Sequence, residues 1–93
     1  MSNYLVRVEL HGANYAHYEQ LHKAMAAKGF LRTIVADSGV GYSLPTAEYT
    51  MSTSQNGTAV RQMADSAADT TGLRHGVLAV AYEGAWWTGL PQA

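Results

Sequence analysis

The sequence predicts an α+β domain, and three observations carry this prediction. Short segments alternate apolar and polar residues with the two-residue period of a half-buried strand, two longer segments carry the helical period, and a glycine follows each helical segment. The order along the chain is strand, helix, strand, strand, helix, strand. Two βαβ halves in series usually close into one four-stranded antiparallel sheet with both helices on one face, the ferredoxin-like βαββαβ sandwich.

The first half begins with a predicted strand over 4–10, in which the even-numbered side chains are apolar and Arg7 and Glu9 are charged. Asn14 is placed to accept a hydrogen bond from the free backbone N–H groups at the start of a helix. Gly29 then supplies the left-handed conformation that ends this helix. One face of the strand is therefore expected to be buried and the other to carry charge.

The middle of the chain predicts two further strands, over 30–36 and 47–53, because the first is rich in β-branched residues and the second alternates. Between them, Asp37 opens a turn cluster, and we expect its carboxylate to bond the backbone two residues on. Pro45 lacks the N–H that a central strand needs and indicates an edge or loop. In the ferredoxin-like order, the uncovered face would then hold Arg7, Glu9, Glu48, Thr50 and Ser52.

The second half predicts a helix capped by Thr58 and ended by Gly72, and then a last strand over 77–82. We assign residues 1–84 to one domain, since 93 residues suit a single core. Residues 85–93 form a short apolar tail that is expected to serve as an interface or as a cover for a sheet edge.

Composition excludes several classes of function. The chain has no cysteine, so disulfides, thiolate metal sites and cysteine nucleophiles are impossible. No metal or other cofactor is expected, because His17 and His22 are five residues apart and lack the i, i+4 geometry of helical zinc ligands. Nothing resembles a secretory signal or a membrane span, which favours a cytoplasmic protein without membrane contact.

A candidate reaction centre lies at the end of the first predicted strand. His11 follows Glu9 on the same side if the alternation continues, and Arg7 precedes it there. A base, an acid and a cation in this arrangement suit proton transfer from a ribose 2′-hydroxyl, with Glu9 and His11 as catalytic residues and Arg7 and Arg32 on the phosphate. The alternative is a polar strand face with a turn histidine and solvated arginines.

The net charge of −1 argues against strong non-specific binding of nucleic acid, so any RNA contact must be local and salt-sensitive. In the tail, Trp86 and Trp87 are adjacent, and aromatic residues are enriched at the centres of protein interfaces. We expect these tryptophans to form the interface of a homodimer or to engage another protein partner. The alternative is a tail that covers the core of its own subunit.

Four stretches, over 18–25, 29–30, 33–37 and 44–49, resemble the GhoS family of small proteobacterial proteins. Asp37 matches the aspartate that closes the Ile-Val-Ala-Asp run of that family. The resemblance implies a ferredoxin-like fold related to that of small CRISPR-associated nucleases. It also implies a type V antitoxin, an endoribonuclease that cuts the messenger of a membrane toxin.

The sequence is therefore compatible with two classes of function. The first is a GhoS-like antitoxin endoribonuclease that cleaves single-stranded or loop RNA. The second is a non-catalytic dimeric module that binds a protein or regulates it through the open sheet face, with a small-ligand regulatory domain as a lesser variant.

Overall fold

The computed structural model describes all 93 residues. Two helices and five strands follow one another along the chain. The elements are β1 (Ser2–Leu10), α1 (Tyr15–Ala27), β2 (Thr33–Val35), β3 (Gly41–Ser43), β4 (Glu48–Thr53), α2 (Gly57–Asp69) and β5 (His75–Tyr82). Neither helix has the length and apolar character needed to cross a membrane.

The main sheet has three antiparallel strands in the order β4-β1-β5. Val6 in β1 lies opposite Tyr49 of β4 on one side and Ala79 of β5 on the other, and this register aligns the apolar positions of all three strands. The central place of the first strand agrees with the predicted order, as does the antiparallel pairing.

A second sheet contains only β2 and β3. It is joined to β4 by a pair of backbone hydrogen bonds, from Leu31 N–H to the Thr50 carbonyl (2.9 Å) and from Thr50 N–H to the Leu31 carbonyl (2.8 Å). The Thr50 hydroxyl adds a 2.6 Å bond to the Thr33 carbonyl. The prediction of an α+β fold with two helices and antiparallel strands is confirmed, but the strands divide into sheets of three and two.

One core joins the main sheet to both helices. From Tyr4 to Leu10, the even-numbered side chains of β1 are buried against fully buried side chains of the helices, among them Leu21 and Met25 of α1 and Val60 of α2. The rest of the buried surface of α2 consists of alanines, which lets this helix approach the sheet closely. The opposite face of β1 stays free of helices, as its charged residues predict.

The helix boundaries follow the capping residues. Asn14 caps α1 as predicted, because its side-chain oxygen accepts from the His17 backbone N–H. The Nδ1 of His17 in turn accepts from the Asn14 backbone N–H, so the two residues form a capping box. The predicted cap of α2 at Thr58 is wrong, because Asn56 accepts the bond from Ala59 N–H at 2.9 Å. An asparagine carbonyl reaches these N–H groups as well as a threonine hydroxyl does, and α2 therefore begins two residues earlier.

The tail, residues 85–93, packs on the small sheet. Ser43 N–H donates to the Pro91 carbonyl (2.8 Å) and Ala93 N–H to the Gly41 carbonyl (2.9 Å), so the tail covers the outer edge of β3. The Trp87 ring lies 5.6 Å from the ring of Tyr42 between centroids. Trp86 is 91% exposed. The two adjacent tryptophans thus lie in different environments.

Candidate functional site

The uncovered face of the main sheet is formed by the odd-numbered residues of β1 and their neighbours. Arg7 and Glu9 are exposed on it, and Leu78 and Val80 of β5 lie beside them with 62% and 40% of their surface exposed. Thr50, expected on this face, is buried because the small sheet covers it. The face is therefore polar toward one end of β1 and apolar along β5.

Glu9 and His11 lie together at the end of β1, as the alternation predicts. His11 Nδ1 is 3.8 Å from Glu9 Oε1, and the two side chains are 55% and 63% exposed. This separation is longer than a hydrogen bond but short enough for an ion pair when the imidazole is protonated. A substrate group could contact both side chains, since both are accessible to solvent.

Arg74 joins this site through strand pairing. Leu10 pairs with His75, and a 2.9 Å bond from His11 N–H to the Arg74 carbonyl continues the pairing one residue further. Opposed residues of an antiparallel pair share a face, which places Arg74 beside His11. We call Arg7, Glu9, His11 and Arg74 the strand-end cluster.

Two features keep the strand-end cluster accessible. Gly76 lies opposite Glu9 in the pairing, and nothing occupies the space where a Cβ of residue 76 would stand. Neither Arg7 nor Arg74 makes an ion pair within 4.0 Å. Both guanidinium groups can thus contact an anion without first losing a partner in the protein.

Arg32, the second phosphate contact expected from the sequence, lies elsewhere. Leu31 pairs with Thr50 and is exposed on the side of the uncovered face, so Arg32 points to the helix side. There its positive charge acts on His22 and Tyr49. The structure therefore does not bring Arg32 to the strand-end cluster.

The neighbourhood of Arg32 contains a histidine that sequence reasoning did not single out for chemistry. His22 Nδ1 lies 2.6 Å from the hydroxyl of Tyr49, whose side chain is fully buried. Burial raises the pKa of Tyr49 well above its usual range, so the hydroxyl keeps its proton while it shares a hydrogen bond with Nδ1. In the sequence, the feature that could have indicated this contact is the position of His22 next to Leu21, which lies on the buried face of α1.

The pKa of His22 is lowered from 6.5, first by burial and then by the charge of Arg32, while Glu19 opposes the shift. Because the folded protein then binds this proton less readily than the unfolded chain, stability should fall as the pH drops below about 6.5. We expect the imidazole signal of His22 to titrate below pH 6.5 in an NMR titration. A His22 midpoint above 6.5 would contradict the inferred burial effect.

The expected loss of stability at low pH is tested with a variant that lacks the imidazole of residue 22. His22→Gln should weaken the fall in the denaturant midpoint between pH 7.5 and pH 5.5, since glutamine does not titrate there. A His17→Gln variant serves as the comparison, because the exposed capping bond of His17 is unrelated to the His22–Tyr49 contact. An unchanged pH dependence in His22→Gln would show that other groups cause the fall.

Trp86, Trp87 and Asp37 lie away from the strand-end cluster. They line a groove beside Asn3 and Tyr82, which pair at the other end of the β1–β5 ladder from Glu9 and Gly76. No group of three or more histidine, aspartate or glutamate side chains is placed to hold a metal ion.

The fold and the strand-end cluster describe a small α+β protein whose open sheet face presents a glutamate, a histidine and two arginines at one end. The family model of Endoribonuclease GhoS matches residues 1–86, and the chain belongs to this family. The family name implies an endoribonuclease antitoxin. No match was found among curated proteins or among solved structures.

Proposed function

We propose that the chain is an antitoxin endoribonuclease that cleaves single-stranded or loop RNA, with the messenger of a toxin as its target. Membership of the GhoS family is the observation that carries this proposal. The strand-end cluster supports it, because Glu9 and His11 lie 3.8 Å apart on an accessible face with two unpaired arginines.

The chemistry that suits this cluster is attack of a ribose 2′-oxygen on the adjacent phosphorus. One member of the Glu9–His11 pair takes the 2′-hydroxyl proton, and the other gives a proton to the departing 5′-oxygen. Arg7 and Arg74 stabilise the charge that builds on the phosphate oxygens. The products would be a 2′,3′-cyclic phosphate and a 5′-hydroxyl.

Single-stranded RNA fits this site better than a duplex. The 2′-oxygen must rotate into line with the breaking P–O bond, which an unpaired nucleotide allows more readily than an A-form helix. Few cationic side chains are available to contact phosphates, since the chain carries six lysines and arginines against seven aspartates and glutamates. We therefore expect affinity to decline with salt by a slope set by only two or three phosphate contacts.

The test is to incubate purified protein with a mixed pool of RNA, with and without chelator, and to identify the new ends. Cyclic phosphate ends that form equally well with chelator support the proposed chemistry. Ends bearing a 3′-hydroxyl and a 5′-phosphate, lost with chelator, would overturn the mechanism. Absence of cleavage by folded protein across sequences and structures would overturn the activity.

We also propose that the topology is ferredoxin-like, with β2 as a displaced fourth strand. The order β4-β1-β5 and the position of Leu31 beside Thr50 support this proposal. The small sheet then results from the turn after Asp37, which pairs β2 with β3 instead of extending β2 along β4.

A second candidate function, a dimeric binding module, is favoured by the free edge of β5. Thr50 exchanges backbone hydrogen bonds with Leu31, and Val8 N–H donates to the Ala47 carbonyl. These bonds determine which residues of β1 direct their backbone N–H and C=O groups toward β4 and which direct them toward β5. On β5, the N–H and C=O groups of 77, 79 and 81 consequently point outward. The strand contains no proline and no lysine, arginine, aspartate or glutamate, so the usual protection of an edge strand is absent.

We propose that two copies pair antiparallel along this edge, with Ala79 at the two-fold axis. That register sets Leu78 of each copy opposite Val80 of the other and Gly76 opposite Tyr82, so the apolar positions are self-complementary. In sedimentation velocity we expect a concentration-dependent dimer that Ala79→Pro disrupts, because this N–H lies outside the β1 ladder.

Matched surface variants sharpen the dimer test. Leu78→Lys should also yield monomer, whereas Leu31→Lys should not, although the two leucines are 62% and 58% exposed. Circular dichroism checks that each variant is folded. A wild-type chain that stays monomeric at all concentrations, or equal masses for both lysine variants, would refute pairing through β5.

A further inference from the structure

The groove at the far end of the sheet forms a second candidate site. It has a volume of about 600 Å³ and lies between the small sheet, the start of β1 and the tail. Leu31 and Val35 form an apolar wall on one side, each more than half exposed. Trp86 stands on the other side. The groove is therefore open to solvent and carries apolar surface that the protein itself does not cover.

The charge of this groove is uniformly negative. Asp37 and Glu83 are its only charged lining residues, and no lysine, arginine or histidine lines it. The expectation that the Asp37 carboxylate bonds the backbone two residues on is wrong, because the Gly39 N–H donates to the Ala36 carbonyl at 2.8 Å. Neither carboxylate is paired with a cation within 4.0 Å. The groove thus presents two uncompensated negative charges beside apolar surface.

The Trp86 ring lies against Gly84, although its side chain is almost wholly exposed. Its ring lies so close to Gly84 that a Cβ there would stand 2.9 Å from the ring carbon Cη2. The next residue, Trp87, is anchored on Tyr42. Trp86 thus presents a large aromatic face at the edge of the groove, with its ring next to a glycine and its backbone next to an anchored residue.

We propose that this groove binds an arginine or lysine side chain from an extended segment of a protein partner in which basic and apolar residues alternate. The cation lies over the Trp86 ring and is neutralised by Asp37 and Glu83. The apolar neighbours of the cation contact Leu31 and Val35. This partner site is separate from the proposed RNA chemistry, which occurs at the opposite end of β1.

RNA is the less suitable occupant of the groove. An exposed tryptophan can stack on a base, but the sugar-phosphate chain would have to follow the base into a groove that holds two carboxylates and no cation. The arginines available for phosphate lie in the strand-end cluster instead. Charge complementarity therefore favours a basic peptide.

The direct test is titration calorimetry of the full chain with the blocked peptide Val-Arg-Val-Arg-Val. We expect binding that weakens at least about tenfold in an Asp37→Asn, Glu83→Gln double variant and about threefold to tenfold in Trp86→Ala. The peptide Val-Glu-Val-Glu-Val should not bind. As a matched control, Glu19→Gln, which removes a carboxylate from the α1 surface, should leave the affinity unchanged.

A further substitution isolates the aromatic contact. Gly84→Ala should displace the Trp86 ring and weaken peptide binding as Trp86→Ala does, while both carboxylates stay in place. Undetectable binding at about 1 mM peptide, or equal affinity for the glutamate peptide, would overturn the proposal. The proposal would also be overturned if unstructured oligouridylate competed with the peptide and Trp86→Ala abolished this competition, since this result would assign the groove to RNA.

Discussion

Replacement of His11 by alanine should lower the rate of RNA cleavage by about 10²-fold or more, and Glu9→Gln should have a similar effect. Each change removes one of the two groups proposed to move protons at the reacting phosphate. The two side chains lie 3.8 Å apart and act on the same substrate, so the double variant should be little slower than either single variant. The measurement is the single-turnover rate on one labelled RNA.

Matched variants show whether the loss belongs to the strand-end cluster. Glu48→Gln removes a carboxylate from the residue that pairs with Arg7, and it should leave the rate nearly unchanged. Arg74→Ala should lower the rate more than Arg61→Ala, since Arg61 is paired with Asp65 on α2. Equal cleavage by wild type and the double variant would exclude Glu9 and His11. A loss specific to His22→Gln would move the reaction to the helix side of the sheet.

The largest effect on stability is expected for Leu21→Ala. Leu21 is fully buried in the core between α1 and the sheet, and its truncation should lower the free energy of unfolding by about 2–5 kcal/mol. Both the lost burial of the side chain and the cavity that it leaves contribute to this change. Denaturant unfolding at 25 °C, followed by circular dichroism, measures it.

Tyr15→Ala is the corresponding control on the same helix. Tyr15 is 80% exposed, so its truncation should change the free energy of unfolding by no more than about 0.5 kcal/mol. Similar losses for the two variants would mean that α1 does not pack on the sheet through Leu21. A loss for Leu21→Ala well below 2 kcal/mol would indicate a core that collapses around the missing side chain.

The main elements could be predicted because their signals are local. Alternation in β1, the cap at Asn14 and the left-handed glycines Gly29 and Gly72, with φ of 93° and 74°, depend only on neighbouring residues. The division into two sheets could not be predicted in this way. The strand β2 can pair with β3, across the turn after Asp37, or with β4. Contacts between residues distant in sequence determine which of these pairings forms.

The strand-end cluster was predictable only in part for the same reason. His11 directly follows the end of β1, so continuing the two-residue period of the strand is enough to place it beside Glu9. Arg74 reaches them through the register of β1 with β5, which no local pattern contains. Arg32 was expected to contact the phosphate, but it lies away from the cluster, because the pairing of Leu31 with Thr50 turns the next side chain toward the helices.

The edge contact of the tail affects how the protein should be produced for these experiments. Ala93 N–H donates to the Gly41 carbonyl, and the Pro91 carbonyl accepts from Ser43 N–H, so an affinity tag fused after residue 93 would begin directly beside the hairpin that walls the groove. Met1 is 92% exposed and belongs to no strand. A cleavable tag in front of Met1 would leave that hairpin undisturbed, and a comparison of tag positions would report how firmly the last residues hold it.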